Sequence, residues 1–303
     1  MRIRTLVAAA TMSGALALTA FAVPAAQASP TALMAREVPP GGPGAAAAAK
    51  PDAASRFGAA LAQQAPRATA RAATTDPVVE SVAVHGGADI VLGTTDKKTI
   101  KVAVTATHPK GIYDAELYLW HGTDVDNDID GAIVPNESAA TCTAIDTTTS
   151  KCVLSMTIDP RADLYTNALA GTWHVGVGVV SKDGYLFWDD YYTTHHVQRL
   201  SKQTVNASPE PVKKGATITV TGKLSRANWE DHKYHGYTGQ SVQLQFRPKS
   251  SSTYSTVKTL TTNSTGELKT TVKAAADGYW RYSFAGTSTT PAVKAAGDFV
   301  DVQ

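Results

Sequence analysis

From Asp76 onward, apolar and polar residues alternate with a period of two. "TIKVAVTA" places Ile100, Val102, Val104 and Ala106 on one face, and Thr99, Lys101 and Thr105 on the other. "AELYL" repeats the pattern with Ala115, Leu117 and Leu119, and "CVLSMTI" with Cys152, Leu154, Met156 and Ile158. "WHVGVGVV" and "YLFWDDYYTTHHV" follow. Period-two runs bounded by Gly, Asp and Pro read as strands. About seven or eight fit between residues 78 and 199, with no amphipathic helix of ordinary length among them.

A second set begins at Thr204 with "TVNAS", "TITVTGKL", "SVQLQFR", "YSTVKTL", "ELKTTVKA", "YWRYSFAG" and "DFVDV". Ile218, Val220 and Leu224 share a parity, as do Val242, Leu244 and Phe246, and Trp280, Tyr282 and Phe284. About seven short strands in a hundred residues suit an immunoglobulin-like sandwich. The expected fold is therefore all-β: two tandem Ig-like antiparallel β-sandwiches, over residues 76–200 and 201–303.

The chain before Asp76 has a different texture. Residues 29–75 are rich in Ala, Pro and Gly and offer few large apolar groups, which predicts a disordered linker or pro-segment. Within it, "DAASRFGAALAQQ" has some helical tendency. Residues 1–28 join Arg2 and Arg4 to an apolar run and to Ala26-Gln27-Ala28. That is the pattern of a secretory signal peptide. The expected product is secreted and extracellular, with no membrane association after cleavage.

The phrases "NASPEPVKKGATITVTGKL", "GELKTTVKAAADGYWRYSFAGT" and "GDFVDV" resemble a module of secreted proteins from Gram-positive actinobacteria. The whole chain is similar to a group of such proteins commonly labelled calcium-binding. The resemblance implies Ig-like folds, export and an interest in calcium. It carries no catalytic signature.

Charge divides the two halves. Residues 76–200 hold 17 acids and 8 bases, a net −9, whereas residues 201–303 hold 7 acids and 13 bases, a net +6. Neither half shows the clustered Lys/Arg with stacking aromatics of a nucleic-acid binder, so no nucleic-acid partner is expected. Cys142 and Cys152 are the two cysteines. In an exported chain they are expected to pair across the turn-like segment "TAIDTTTSK".

The sharpest chemical signal is "DVDNDIDGAIVPNE", Asp124–Glu137. Counted from Asp126, acids fall at positions 1, 3, 5 and 12 (Asp126, Asp128, Asp130, Glu137), with Gly131 at 6. This satisfies D-x-[DN]-x-[DN]-G-x5-E, and the Ala132 carbonyl would supply position 7. The flanks alternate like strands and Pro135 stands in the exiting turn, so a strand-flanked structural Ca²⁺ loop is expected instead of a helix-flanked switch. A solvated acidic turn and another cation are the alternatives.

A second candidate is the loop "NWEDHKYHGY", where Trp229, His232, Tyr234, His235 and Tyr237 form a possible ligand-binding set. Adjacent His195 and His196 should point to opposite faces of one strand. No G-x-S-x-G, H-E-x-x-H or zinc-type cysteine cluster occurs. The expectation is a non-enzymatic, monomeric calcium-binding protein. The alternative is an extracellular module for a protein or glycan, without a functional metal.

Overall fold

The computed structural model describes residues 50–62 and 75–303. The signal-peptide reading and most of the linker reading fall outside these residues.

Nine strands follow one another up to residue 199: β1 (Val78–Val84), β2 (Ile90–Leu92), β3 (Lys98–Thr107), β4 (Ile112–Asp124), β5 (Asp128–Ile133), β6 (Thr141–Ala144), β7 (Thr149–Ile158), β8 (Gly171–Ser181) and β9 (Leu186–Arg199). One sheet has the order β1-β3-β7-β6, the other β2-β9-β8-β4-β5. Pairing is antiparallel except for β2 against β9. The predicted inward residues meet between these sheets. Ile100, Val102 and Val104 pack with Leu154, Met156 and Ile158, and with Leu117, Leu119, Val175 and Val177. Lys101 stays exposed on the opposite face of β3, as the alternation requires.

Ten further strands follow: β10 (Ser201–Gln203), β11 (Asn206–Ser208), β12 (Thr217–Asn228), β13 (Lys233–Gly236), β14 (Ser241–Pro248), β15 (Ser255–Thr261), β16 (Glu267–Lys273), β17 (Gly278–Phe284), β18 (Val293–Lys294) and β19 (Asp298–Val300). β12 gathers β10, β11, β13 and β16, while β15-β14-β17-β18 and β19 form the facing sheet. Ile218, Val220 and Leu224 meet Val242, Leu244, Trp280, Tyr282 and Phe284 in a second core. The all-β, antiparallel two-sheet reading holds for both halves. The strands it missed, β10, β13 and β18, are only two to four residues long.

Cys142 and Cys152 are bonded and face each other in the β6–β7 register. The bond therefore cross-links a hairpin, as its spacing predicted.

Two arrangements depart from the sequence reading. First, the stretch of the expected linker that showed helical tendency forms a helix, α1 (Ala53–Ala62), and it is packed on the β-structure instead of being transient. Asp52 caps it by accepting the Ser55 amide at 2.8 Å. An isolated ten-residue helix is marginal in water, so its packing must hold it. Second, the first core does not end at residue 200. Ala227 and Trp229, from the second half, belong to it.

Candidate recognition face

The acidic stretch runs from the turn of the β4–β5 hairpin through β5 and beyond its end, and each carboxylate has a separate partner. Asp124 lies opposite Asp128 in the register. Asp124 Oδ1 accepts the amides of Asp126 and Asn127, both at 2.9 Å, which closes the turn. These bonds hold the Asp124 carboxyl below its ordinary range. Asp126 pairs with Lys50 Nζ at 2.8 Å, and Asp128 accepts the Thr123 hydroxyl at 2.5 Å. Asp130 lies 2.6 Å from His121 Nδ1. Glu137 reaches the other sheet, where it accepts the Ser155 amide at 2.9 Å and the Ser155 hydroxyl. Those bonds, the hydroxyl first, lower its pKa. Ala132 is paired with Trp120 in the ladder.

The five residues expected to surround calcium therefore do not share one coordination sphere. Among the described residues, no group of three or more His, Cys, Asp or Glu side chains is gathered as a metal site. The reason is backbone geometry. β5 begins at Asp128, so the chain is a pleated strand where a calcium loop would curl around the ion. As arranged, these residues do not fit Ca²⁺.

The segment around Trp229 also differs from an open ligand loop. Trp229 is fully buried and donates its indole N–H to the Gly93 carbonyl at 3.0 Å. Its own amide donates to Asn167 Oδ1. Lys202 lies over the Tyr234 ring at 3.6 Å, and Arg226 over Tyr237 at 3.8 Å. His235 pairs with Asp231 at 2.6 Å. His232 is exposed and carries a positive φ of 58°. Trp229 thus belongs to the seam between the two halves, and only His232 and His235 of this set present largely open side chains. His195 Nε2 lies 3.1 Å from the Ala88 carbonyl and His196 Nδ1 lies 3.6 Å from Asp89, so both rings reach the same short segment before β2.

A third locus, unmarked by any motif, carries the densest chemistry. Strand β4 buries both faces. Ala115, Leu117 and Leu119 point into the core, while Glu116, Tyr118 and Trp120 lie on the outer face and are nonetheless almost fully buried. Two glycines of β8 make room for this outer layer. A Cβ on Gly176 would stand 2.2 Å from the Tyr118 ring, and one on Gly178 would stand 2.5 Å from Trp188. Asp190 ties the layer together. It accepts the Tyr118 hydroxyl and the Trp188 indole N–H (2.6 Å) through its carboxylate, and the Trp120 indole N–H at 2.7 Å through its carbonyl.

Residues 50–57 cover this layer. Arg56 Nη1 donates to Asp114 Oδ2 at 2.9 Å, its Nε pairs with Glu116, and Nη2 reaches the Ala115 carbonyl at 3.3 Å. Phe57 is 2% exposed and meets Trp188 edge-on, with ring centroids 6.1 Å apart. Lys50 Nζ spans Asp126 and Asp190, at 2.8 and 3.1 Å.

The electrostatics follow from this cover. Burial pushes the Glu116 carboxyl up to about 7, against the opposing pull of Arg56. Burial also opposes the charge on Asp190, but hydrogen bonds from Tyr118, Trp188 and Lys50 outweigh it and hold that carboxyl low. Tyr118 is pushed well above its ordinary value, by burial first and by its bond to Asp190 second. The arrangement is an acidic, aromatic surface that accepts a guanidinium, an ammonium and a phenyl ring.

No protein-family model matches the chain, and no characterised protein matches its sequence. Among solved structures, the D00-D0 domain of intimin is 14% identical, with 73% of this chain and 99% of that chain covered and a TM-score of 0.24. The Yersinia pseudotuberculosis adhesin InvE is also 14% identical, covering 74% and 58%, with a TM-score of 0.23. A cytokine receptor complex is 14% identical, covering 72% and 94%, with a TM-score of 0.29.

Proposed function

We propose that the protein is a secreted, disulfide-bonded, non-enzymatic binding module. Its recognition face is the outer surface of β9, β8 and β4, and its ligand is a basic polypeptide segment that carries an aromatic residue. The observation behind this reading is the seating of Arg56 and Phe57. A guanidinium between Asp114 and Glu116, beside a ring on Trp188, is the chemistry of a recognised peptide. The chain's own residues 50–57 fill the face as a tethered occupant.

Export is supported by the N-terminal pattern and by the hairpin disulfide. The non-enzymatic reading rests on the sequence, which carries no G-x-S-x-G, H-E-x-x-H or zinc-type cysteine cluster. Calcium has no part in this reading, because the five donors do not converge.

The test uses a labelled peptide of residues 50–62 and two forms of the full chain. Arg56→Glu repels the occupant from its carboxylates and frees the face. The peptide should bind this variant with micromolar affinity and fail to bind wild type. Absence of binding to Arg56→Glu, when hydrogen exchange shows its α1 to be released, would refute the proposal.

A further inference from the structure

The second half carries a separate feature on the outer face of β14 and β17. The inward residues Val242, Leu244, Trp280 and Tyr282 alternate with Gln243, Gln245, Arg247, Tyr279 and Arg281, which face outward. In the register, Arg247 lies opposite Tyr279, Gln245 opposite Arg281, and Tyr279 opposite Phe299. Cations and rings interleave along this face. Arg281 lies 3.6 Å from the Tyr254 centroid, and Arg247 lies 4.0 Å from that of Tyr279 and 5.3 Å from that of Tyr254. Lys249 extends the row over Phe299 at 5.3 Å.

Both guanidiniums are held in place. Arg281 Nε donates to Gln245 Oε1 at 2.9 Å, and Arg247 Nη1 donates to the Ser251 carbonyl. Tyr254 is seated across the face because position 297 has no side chain: a Cβ there would stand 2.2 Å from the Tyr254 hydroxyl. Among the described residues, neither arginine has a carboxylate partner, and the one acid paired with this row is Asp277, 3.8 Å from Lys249. Two oriented guanidiniums with no anion between them are an electrostatic demand that the chain itself leaves unanswered.

We infer that this cation–aromatic row is a binding site for an anionic polysaccharide, with Arg247 and Arg281 gripping successive charged groups. A linear polymer fits because the cations follow one another along a sheet face. Sugar anions fit better than a nucleic acid because Tyr254 and Tyr279 already stack on guanidiniums, the role that bases would take. This site is independent of the face covered by α1.

The test is affinity electrophoresis of the full chain in gels containing polygalacturonate, dextran sulfate or neutral dextran, with single-stranded DNA as a fourth arm. Retardation is expected with a charged polysaccharide and not with dextran, and it should weaken with salt. The carboxylated and sulfated polymers distinguish the source of the anion. Arg247→Gln/Arg281→Gln should lower the affinity at least tenfold, the loss of about one charge-assisted contact. Lys223→Gln/Lys269→Gln, on the opposite sheet, should leave it unchanged. Arg281→Lys keeps the charge, loses the planar fork and should fall between, which covers the case of a poorly folded double variant. No retardation of wild type, equal loss in both double variants, or equal retention by DNA would overturn the inference.

Discussion

Arg56 and Asp114 are 58 residues apart in sequence, yet Nη1 and Oδ2 lie 2.9 Å apart beneath α1. The Arg56 side chain is 10% exposed and that of Asp114 8%, so the pair sits largely outside water. Removing one partner of such a pair typically costs about 3–5 kcal/mol. Here the tether offers an escape, since release of α1 returns Asp114 and Glu116 to solvent. Arg56→Ala should therefore lower the hydrogen-exchange protection of α1 roughly a hundredfold while leaving that of β3 and β7 intact. Loss of protection throughout the first core would contradict a separable occupant.

Glu116 sets a pH dependence of unusual sign for a carboxylate. Its folded pKa, about 7, lies above the ordinary 4.5, so the folded state holds this proton more tightly than the unfolded one. Its contribution is fully present below 4.5 and is lost as the pH rises to about 7. Denaturant unfolding across that window should show stability falling with pH, and Glu116→Gln should flatten the slope. The depressed carboxyls of Asp190 and Glu137 act in the opposite direction and at lower pH. A slope unchanged by Glu116→Gln would assign it to another group.

The Cys142–Cys152 bond closes a short loop, for which chain entropy gives roughly 2.5–3 kcal/mol. Cys142→Ser/Cys152→Ser should lose about that much in urea unfolding. Reductant should destabilise wild type and leave the variant unaffected.

The β4–β5 hairpin gives a prediction about metal. With its carboxylates held by Lys50, Thr123, His121 and Ser155, the melting temperature should be the same in millimolar calcium and in chelator. A rise in calcium that disappears in Asp126→Ala/Glu137→Ala would show that the hairpin rearranges around the ion.

Much of the fold was legible because a strand shows one face to its core. Ile100, Val102 and Val104 declare their side whatever they pack against. The recognition face was not legible for the same reason. Glu116, Tyr118 and Trp120 have the parity of solvent-facing residues, yet Arg56, some sixty positions upstream, covers Glu116, and Trp188, His174 and Tyr191 from the neighbouring strands cover the two rings. Gly176 and Gly178 were the available hint, as gaps in an otherwise β-branched strand. The spacing of the acidic stretch counts residues along the chain and does not register that Asp128 already lies in a strand. Trp229 groups with a ligand-binding loop in the sequence because its acceptor, Gly93, is 136 residues away.

That indole has a consequence for cooperativity. Trp229 fills the first core from the second half, and Arg199 Nε donates to the Ala227 carbonyl at 2.6 Å across the same seam. A chain cut after Leu200 would lose Trp229, leaving the Gly93 carbonyl without its indole N–H and Asn167 Oδ1 without its amide. The two sandwiches should then melt as one unit, in a single calorimetric transition, and neither should behave as a free-standing fragment.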